Sequence, residues 1–425
     1  MLEVEMSDEG IPTLHIRSLW DAESHPTPSV RVDTIISPED GDQISLVAPT
    51  HAALRDDGRV VLGDAGTRRT WIRDAEGRWT EGPGPWEGPD QIRSLGGVWP
   101  GGLGSDPGAG TDSTPDGGFM VHDVETGELV AFDSAGAAGD RLRIGTDHAL
   151  HGPGVSTGPW PSALHPLTDG SWVVAVATPN DGPDESGVLS GTVRYTLVTG
   201  PSLDDETSLG EGPALPFRVM GGGAAPLPFA HVAHLAAAGQ QVAVHDGTAA
   251  RASVVDVAAA PGPDGSLPAA LHVDWHDAAV RISDIHRDRV RAFLLEMAPG
   301  DMSDEDRDTW LGGLMDSFVW PDALPPLGAL HLTPSGDLWL GSPLRTGLDM
   351  PQRPERVAEW RVVSVDPDGE PTVRQVALPD GVVTVLGPAG PAHPQAVLVL
   401  LRDPSERQGM GLLHLQAPEE SPAGS

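Results

Sequence analysis

A turn glycine recurs along this chain, and each time it stands between two short strand-like runs. The glycines are Gly58, Gly117, Gly170, Gly239 and Gly336, and the flanking runs alternate apolar and polar residues or are rich in β-branched ones. The successive spacings of 59, 53, 69 and 97 residues each correspond to one propeller blade plus an insertion. Because an antiparallel unit of about four strands is not stable alone, the pattern predicts a repeat fold.

The most regular repeat spans residues 327–372. It reads strand, Ser335-Gly336 turn, strand, polar loop, and a third strand from Trp360 to Val365. A sixth, partial repeat follows, with strands predicted at Val382–Leu386, Gln395–Arg402 and Met410–Gln416. The 53 glycines and 42 prolines among 425 residues agree with many short strands joined by many turns.

A helical insertion accounts for the longest spacing. Ser283–Met297 carries apolar residues at roughly helical spacing, and Ser303–Phe318 begins with a variant of the capping box. We predict two short helices near residues 283–318.

Six units in one chain form either a closed β-propeller or an open solenoid, and closure is favoured because it leaves only short, protected edges. We therefore predict an all-β fold, a single six-bladed β-propeller over residues 21–416. A strand within residues 1–20 is expected to join the carboxyl-terminal strands and close the ring. Residues 417–425 are expected to be a disordered tail.

The order of these parts resembles the NHL-like six-bladed β-propeller family, whose mostly uncharacterised members are bacterial. The resemblance rests on GRVVLGDAGTRRTWIRDAEGRW followed by EGPGPWEGP, on LVAFDSAG, and on PPLGALHLTPSGDLWL with EWRVVSVDPDGE. It covers roughly residues 30–416. The family's connector after the first blade resembles GEGPGEF, and the acidic-aromatic end of that motif is altered here to EGPGPW. The motifs form blades, so the resemblance implies the fold and leaves the activity open.

Charge and composition exclude several classes of function. The net charge of −36 makes nucleic acid and anionic membrane surfaces unsuitable partners. The absence of cysteine and lysine excludes disulfides, thiolate chemistry, Schiff bases and a P-loop. The sequence shows no transmembrane run and no signal peptide, so we expect a protein that is cytoplasmic as written, or exported if its start has been trimmed. We also expect a monomer.

Three histidines occupy matching positions in successive repeats. His165, His234 and His331 each stand five residues before a turn glycine, on the strand expected to be innermost. Their imidazoles could meet in the central channel and bind Zn²⁺ or a similar divalent metal. A peptide-amide-forming lyase is a six-bladed propeller with such a histidine set, but its other motifs are absent here. The alternative is that the rings lie between blades, hydrogen-bonded and metal-free, with no cofactor.

Other polar patterns carry weaker signals. His272, Asp274 and His276 share one strand face and form either a metal site or a polar outer strand. Several second strands end in an aspartate, namely Asp64, Asp123 and Asp246. These side chains either hold Ca²⁺, as in gluconolactonase-like propellers, or cap the following turn. We favour turn capping. The G-x-S-x-G match at 154–158 lacks a flanking strand and helix, so we interpret it as chance.

Blade motifs without a catalytic set favour a non-enzymatic module that binds a protein or a small-molecule ligand through one face of the ring. A metal-dependent hydrolase or lyase at the channel histidines is the alternative. A scaffold acting through the helical insertion is a third hypothesis.

Overall fold

Antiparallel sheets of four strands dominate the structure, a computed structural model. It describes residues 2–6, 11–20, 25–37, 44, 46–47, 49–55, 58–64, 66–84, 95–100, 118–123, 128–134, 136–143, 164–199, 205–220, 223–259, 267–277, 279–298, 302–342, 359–365, 370–390, 392–405 and 407–416.

Blades 1 to 3 follow one another along the chain, each with its innermost strand first. Blade 1 comprises β4 (Pro49–Leu54), β5 (Val60–Asp64), β6 (Arg69–Arg73) and β7 (Trp79–Glu81). Blade 2 comprises β8 (Leu95–Pro100), β9 (Phe119–Asp123), β10 (Glu128–Phe132) and β11 (Ala138–Arg143). Blade 3 comprises β12 (Leu164–Pro166), β13 (Trp172–Pro179), β15 (Gly191–Thr199) and β16 (Asp205–Pro213).

Blades 4 to 6 complete the set. Blade 4 comprises β19 (His234–Ala238), β20 (Gln241–His245), β21 (Arg251–Asp256) and β22 (Ala269–Trp275). Blade 5 comprises β23 (Ala329–Leu332), β24 (Leu338–Gly341), β25 (Trp360–Val365) and β26 (Pro371–Val376). Blade 6 comprises β27 (Val382–Pro388), β28 (Ala396–Arg402), β29 (Gln408–Leu415) and β3 (Val30–Ile36).

The six blades form a closed ring, which confirms the predicted six-bladed β-propeller. Each innermost strand contacts the next in the order β4, β8, β12, β19, β23, β27, and β27 contacts β4. A separate apolar cluster fills every interface between neighbouring blades, because each sheet buries a face against the next.

The strand that closes the ring lies outside the stretch where we expected it. β3 pairs with β29, so Val30–Ile36 completes blade 6. The strands within residues 1–20 are β1 (Leu2–Met6) and β2 (Pro12–Ile16), and β2 pairs in parallel with β22 of blade 4. The prediction of a closing strand within residues 1–20 is therefore wrong. β3 can complete blade 6 because its alternate residues Val30 and Val32 pack against the apolar core between blades 5 and 6.

The turn glycines behave as the sequence predicts. Gly58, Gly170, Gly239 and Gly336 have φ between +62° and +87°, a conformation that disfavours residues with a Cβ. The fifth, Gly117, lies outside the described residues, as does the predicted tail at 417–425.

The two predicted helices are present and pack on a small sheet that the sequence analysis did not predict. They are α1 (Asp284–Met297) and α2 (Asp304–Ser317), and the sheet comprises β14 (Val188–Leu189), β17 (Phe217–Met220) and β18 (Gly223–Pro226). Ser303 Oγ accepts a hydrogen bond from the Asp306 amide, as the capping motif predicts. Val290 and Leu311 are buried in the cluster between helices and sheet. Neither helix in the described part of the chain is long and apolar enough to cross a membrane.

Candidate functional site in the central channel

A cavity of about 620 Å³ occupies the axis of the ring. Side chains from all six innermost strands line it, and most of them are apolar, for example Val98, Leu235 and Leu330. Three imidazoles are the main polar groups of this lining, those of His51, His165 and His331. Among the described residues that line the cavity there is no carboxylate and no guanidinium. The described lining is therefore mainly apolar, with a few polar groups and no charged side chain.

Two of the three predicted histidines reach this cavity. His165 lies on β12 and His331 on β23, and both line it. The His331 ring also stacks on the Trp360 indole, with centroids 5.4 Å apart and planes 25° apart. Trp360 is fully buried between blades 5 and 6, so this contact fixes the plane of the His331 ring.

His234 does not join the other two. It lies on the innermost strand β19, but the cavity is lined by its neighbours Leu235 and Ala237. The His234 ring instead packs on His245, with centroids 5.7 Å apart. Alternation along a strand puts His234 on the other face from Leu235 and Ala237.

The length of the hairpin turn explains why His234 differs. In blades 3 and 5 the residue pairs Pro166–Trp172 and Leu332–Leu338 leave five-residue connections between the strands. In blade 4, Ala238 pairs with Gln241, which leaves a connection of two residues. His234 is as far from its turn glycine as His165 and His331 are from theirs, but it is in a different register relative to the end of its strand. Its side chain therefore lies on the opposite face of the strand.

His51 is a channel residue that the sequence analysis missed. It lies on β4, and its Nδ1 is 2.9 Å from Thr50 Oγ1. It stands two residues before Ala53, the position of blade 1 that matches His165 and His331. Period-two alternation from Ala53 could have found it, although the strand has a register shift between Pro49 and His51.

Burial keeps two of the channel imidazoles neutral. It lowers the pKa of His51 to about 4. Burial, together with the positive charge that His51 would carry, lowers the pKa of His165 to about 4 as well. Near neutral pH each ring thus offers one N–H donor and one nitrogen acceptor.

A further histidine lies behind the channel wall. His122 on β9 is fully buried, and burial, followed by the charge of His51, lowers its pKa to about 3. Neither of its ring nitrogens forms a hydrogen bond within the described part of the chain. Among the described residues it is a buried polar group without a hydrogen-bond partner, which is unfavourable for the fold around blades 1 and 2.

No three His, Asp or Glu side chains come together to hold a metal ion in the part of the chain that the structure describes. The metal site at His165, His234 and His331 therefore stays a prediction.

The second predicted cluster lies away from the channel, with His272 and Asp274 on the outer strand β22 and His276 directly after it. His272 Nδ1 is 2.8 Å from Ser253 Oγ, and Asp274 accepts hydrogen bonds of 2.5 and 2.6 Å from the guanidinium of Arg251. Burial opposes the ionisation of Asp274, but the Arg251 hydrogen bonds and charge hold its pKa below the usual value. His276 stacks on His15 of β2 with centroids 6.1 Å apart. The first two contacts join β22 to its neighbour β21 within blade 4, and the His276–His15 stack joins β2 to the end of the same blade.

Turn capping accounts for two of the three strand-ending aspartates. Asp64 accepts hydrogen bonds from the amides of Val47, Gly66 and Thr67. Asp246 accepts from the amides of Thr248 and Ala249. Asp123 is buried at the end of β9, and the turn after it lies outside the described residues. The G-x-S-x-G match at 154–158 also lies outside them.

The closed ring and the cavity on its axis define a six-bladed β-propeller. No family model matches the chain, and no curated protein matches it. Membership of the NHL-like family therefore stays a prediction.

Solved structures similar to the chain include several propellers. Virginiamycin B lyase from Staphylococcus aureus is 8% identical with a TM-score of 0.39, and the match covers 91% of this chain and 99% of that one. A gluconolactonase from Xanthomonas campestris is 12% identical with a TM-score of 0.42, over 97% and 98%. The PQQ-bound aldose sugar dehydrogenase from Streptomyces coelicolor is 12% identical with a TM-score of 0.42, over 92% and 100%.

Proposed function

We propose that this protein is a non-enzymatic binding protein whose channel takes a small, neutral and mainly apolar molecule. The observation that carries the proposal is the lining of the cavity, which combines apolar side chains with imidazoles and no charged side chain among the described residues. Apolar walls supply affinity, and a few convergent polar groups supply orientation. His51, His165 and His331 are the groups that would donate to or accept from the ligand.

Acid–base catalysis by His51 and His165 has little support. General acid–base catalysis needs a group whose pKa is near the working pH. Burial lowers the pKa of both His51 and His165 to about 4, which makes them weak bases at neutral pH. The alternative function, a metal-dependent hydrolase or lyase, would need the imidazoles as metal ligands instead.

Two matched fluorescent probes test the proposed function. N-phenyl-1-naphthylamine is neutral and apolar, and 1-anilinonaphthalene-8-sulfonate has the same ring system with an added negative charge. We expect the neutral probe to bind at least about tenfold more tightly, a difference of about 1.4 kcal/mol. Equal binding of both probes, or preference for the sulfonate, would overturn the proposal.

A variant locates the bound probe. Ala237 lines the cavity, so Ala237→Phe fills part of it and should weaken binding of the neutral probe. Ala292→Phe on the exposed side of α1 is the control and should leave binding unchanged. Thermal unfolding of both variants checks that the ring is intact. Binding that survives Ala237→Phe at full strength would place the probe elsewhere and reject the channel as the site.

A further inference from the structure

The first two strands of the chain extend blade 4 outward. β2 pairs in parallel with β22, and β1 pairs antiparallel with β2, so β1 is the edge of a six-stranded sheet. Leu14 and Ile16 of β2 are 1% and 0% exposed in the core shared by blades 4 and 5. β2 is thus a packed part of the propeller.

The segment after β2 is held from two sides. The Asp277 carboxylate accepts hydrogen bonds from Ser18 Oγ at 2.7 Å and from the Leu19 amide at 2.8 Å. On the other side, the Leu19 carbonyl oxygen accepts from Arg361 Nε at 2.7 Å. These contacts fix the position of β2 and therefore that of β1.

β1 itself is exposed along its whole length. Leu2, Val4 and Met6 are 37%, 50% and 59% exposed, although they continue the apolar face to which Leu14 and Ile16 belong. On the opposite face Glu3 and Glu5 are also exposed, and Glu5 Oε2 lies 3.3 Å from His15 Nε2. No strand pairs with the outer edge of β1 among the described residues. An exposed edge strand with apolar side chains is a template for another strand.

We propose that β1 is a docking strand for an extended segment of a partner protein that alternates apolar and basic side chains. The partner's main chain would pair with the free edge of β1 and add a seventh strand to the sheet. Its apolar side chains would cover Leu2, Val4 and Met6. Its basic side chains would lie beside Glu3 and Glu5.

Charge decides between this partner and a second copy of the chain. Antiparallel pairing of two β1 strands about Val4 would put Glu3 of one copy opposite Glu5 of the other, and like charges directly opposite are destabilising. Each copy also carries a net charge of −36. A basic segment is attracted by both the local carboxylates and the field of the whole protein.

The test uses a labelled seven-residue peptide that alternates valine and arginine, with binding followed by fluorescence anisotropy. We expect Glu3→Arg combined with Glu5→Arg to weaken binding by at least about tenfold. The control, Glu185→Arg combined with Glu305→Arg, makes the same change in net charge at two exposed sites elsewhere and should leave binding within about twofold. Equal loss in both double variants would show unspecific charge attraction and overturn the proposal.

A second pair of variants tests the apolar contact. Val4→Asp should abolish detectable binding, whereas Val365→Asp, at a valine that is 48% exposed against 50% for Val4, should not. The same peptide with two central prolines cannot pair along its backbone and should not bind. Undiminished binding of the proline peptide would overturn the proposal. So would a dimer in sedimentation analysis that Val4→Asp dissociates, because β1 would then be occupied by a second copy.

Discussion

Arg361 Nε donates a hydrogen bond of 2.7 Å to the carbonyl oxygen of Leu19, across 342 positions of sequence. The Arg361 side chain is fully buried, its Nη1 donates to the carbonyl of Trp360 at 3.2 Å, and its guanidinium lies over the Trp20 ring at 5.6 Å. A buried guanidinium needs such partners because burying an uncompensated charge is costly. Through the Arg361 side chain, blade 5 holds the segment that follows β2.

Arg361→Lys should destabilise the protein. The ammonium cannot reproduce the planar set of hydrogen bonds, and we expect the free energy of unfolding to fall by about 2 kcal/mol. Urea unfolding at neutral pH measures it. Arg31→Lys is the control, because Arg31 is 57% exposed and paired with an exposed Asp33. A change of less than about 0.5 kcal/mol is expected there. Similar losses in the two variants would contradict the structural role of Arg361.

Asp277→Asn should loosen the same segment from the opposite side. The carboxylate accepts from Ser18 Oγ and from the amides of Leu19 and Trp20, and an amide nitrogen cannot accept. We expect a loss of about 1–3 kcal/mol in the free energy of unfolding. Hydrogen exchange should speed up in residues 12–20 while blade 6 keeps its protection. Asp316→Asn on the exposed surface of α2 is the control; exchange that is unchanged at 12–20 in Asp277→Asn would refute the prediction.

The fold was largely predictable because its signals are local. Positive-φ turn glycines such as Gly170 and Gly336 mark hairpins that depend on a few adjacent residues. The closing strand was harder, because β3 and β2 are both short alternating runs and only their partners distinguish them. The small sheet of β14, β17 and β18 was missed, since its strands have two to four residues and come from separate connections.

The site was only half predictable because it depends on register. The distance to a turn glycine predicts His165 and His331 as channel residues. That distance predicts the strand face correctly only where the turns have the same length. His234 has the same distance and a shorter turn, so it lies on the other face. Burial also cannot be inferred from a single strand, and the neutral state of His51 follows from its position in the assembled ring.

Elemental analysis of the purified, chelator-free protein tests the metal hypothesis. We expect transition metal well below one equivalent, because no three His, Asp or Glu side chains converge in the described part of the chain. One equivalent of zinc that is lost in His165→Ala and His331→Ala would instead support the metal-dependent enzyme. His234→Ala is then the comparison. Metal lost in that variant too would show that His234 is a ligand, contrary to its contact with His245.

Stability should fall as the pH is lowered from about 6.5 towards 4, before most carboxylates titrate. Burial lowers the pKa of His122 from 6.5 to about 3, and that of His51 and His165 to about 4. Between these values and 6.5 the unfolded chain binds protons that the folded protein does not, so acid favours unfolding. Above about pH 7 the contribution is fully present. His122 alone should cost about 2 kcal/mol between pH 7.5 and pH 5.

His122→Leu isolates that contribution. Leucine has a similar volume and no ring nitrogens to leave without hydrogen bonds, so we expect the variant to be more stable at about pH 7.5 by about 1 kcal/mol. Its advantage over the unmodified protein should grow to about 3 kcal/mol near pH 5, measured by urea unfolding at both values. His231→Leu, at a partly exposed histidine, is the control for the substitution itself. An advantage of His122→Leu that stays constant with pH would show that His122 takes up its proton in the folded protein.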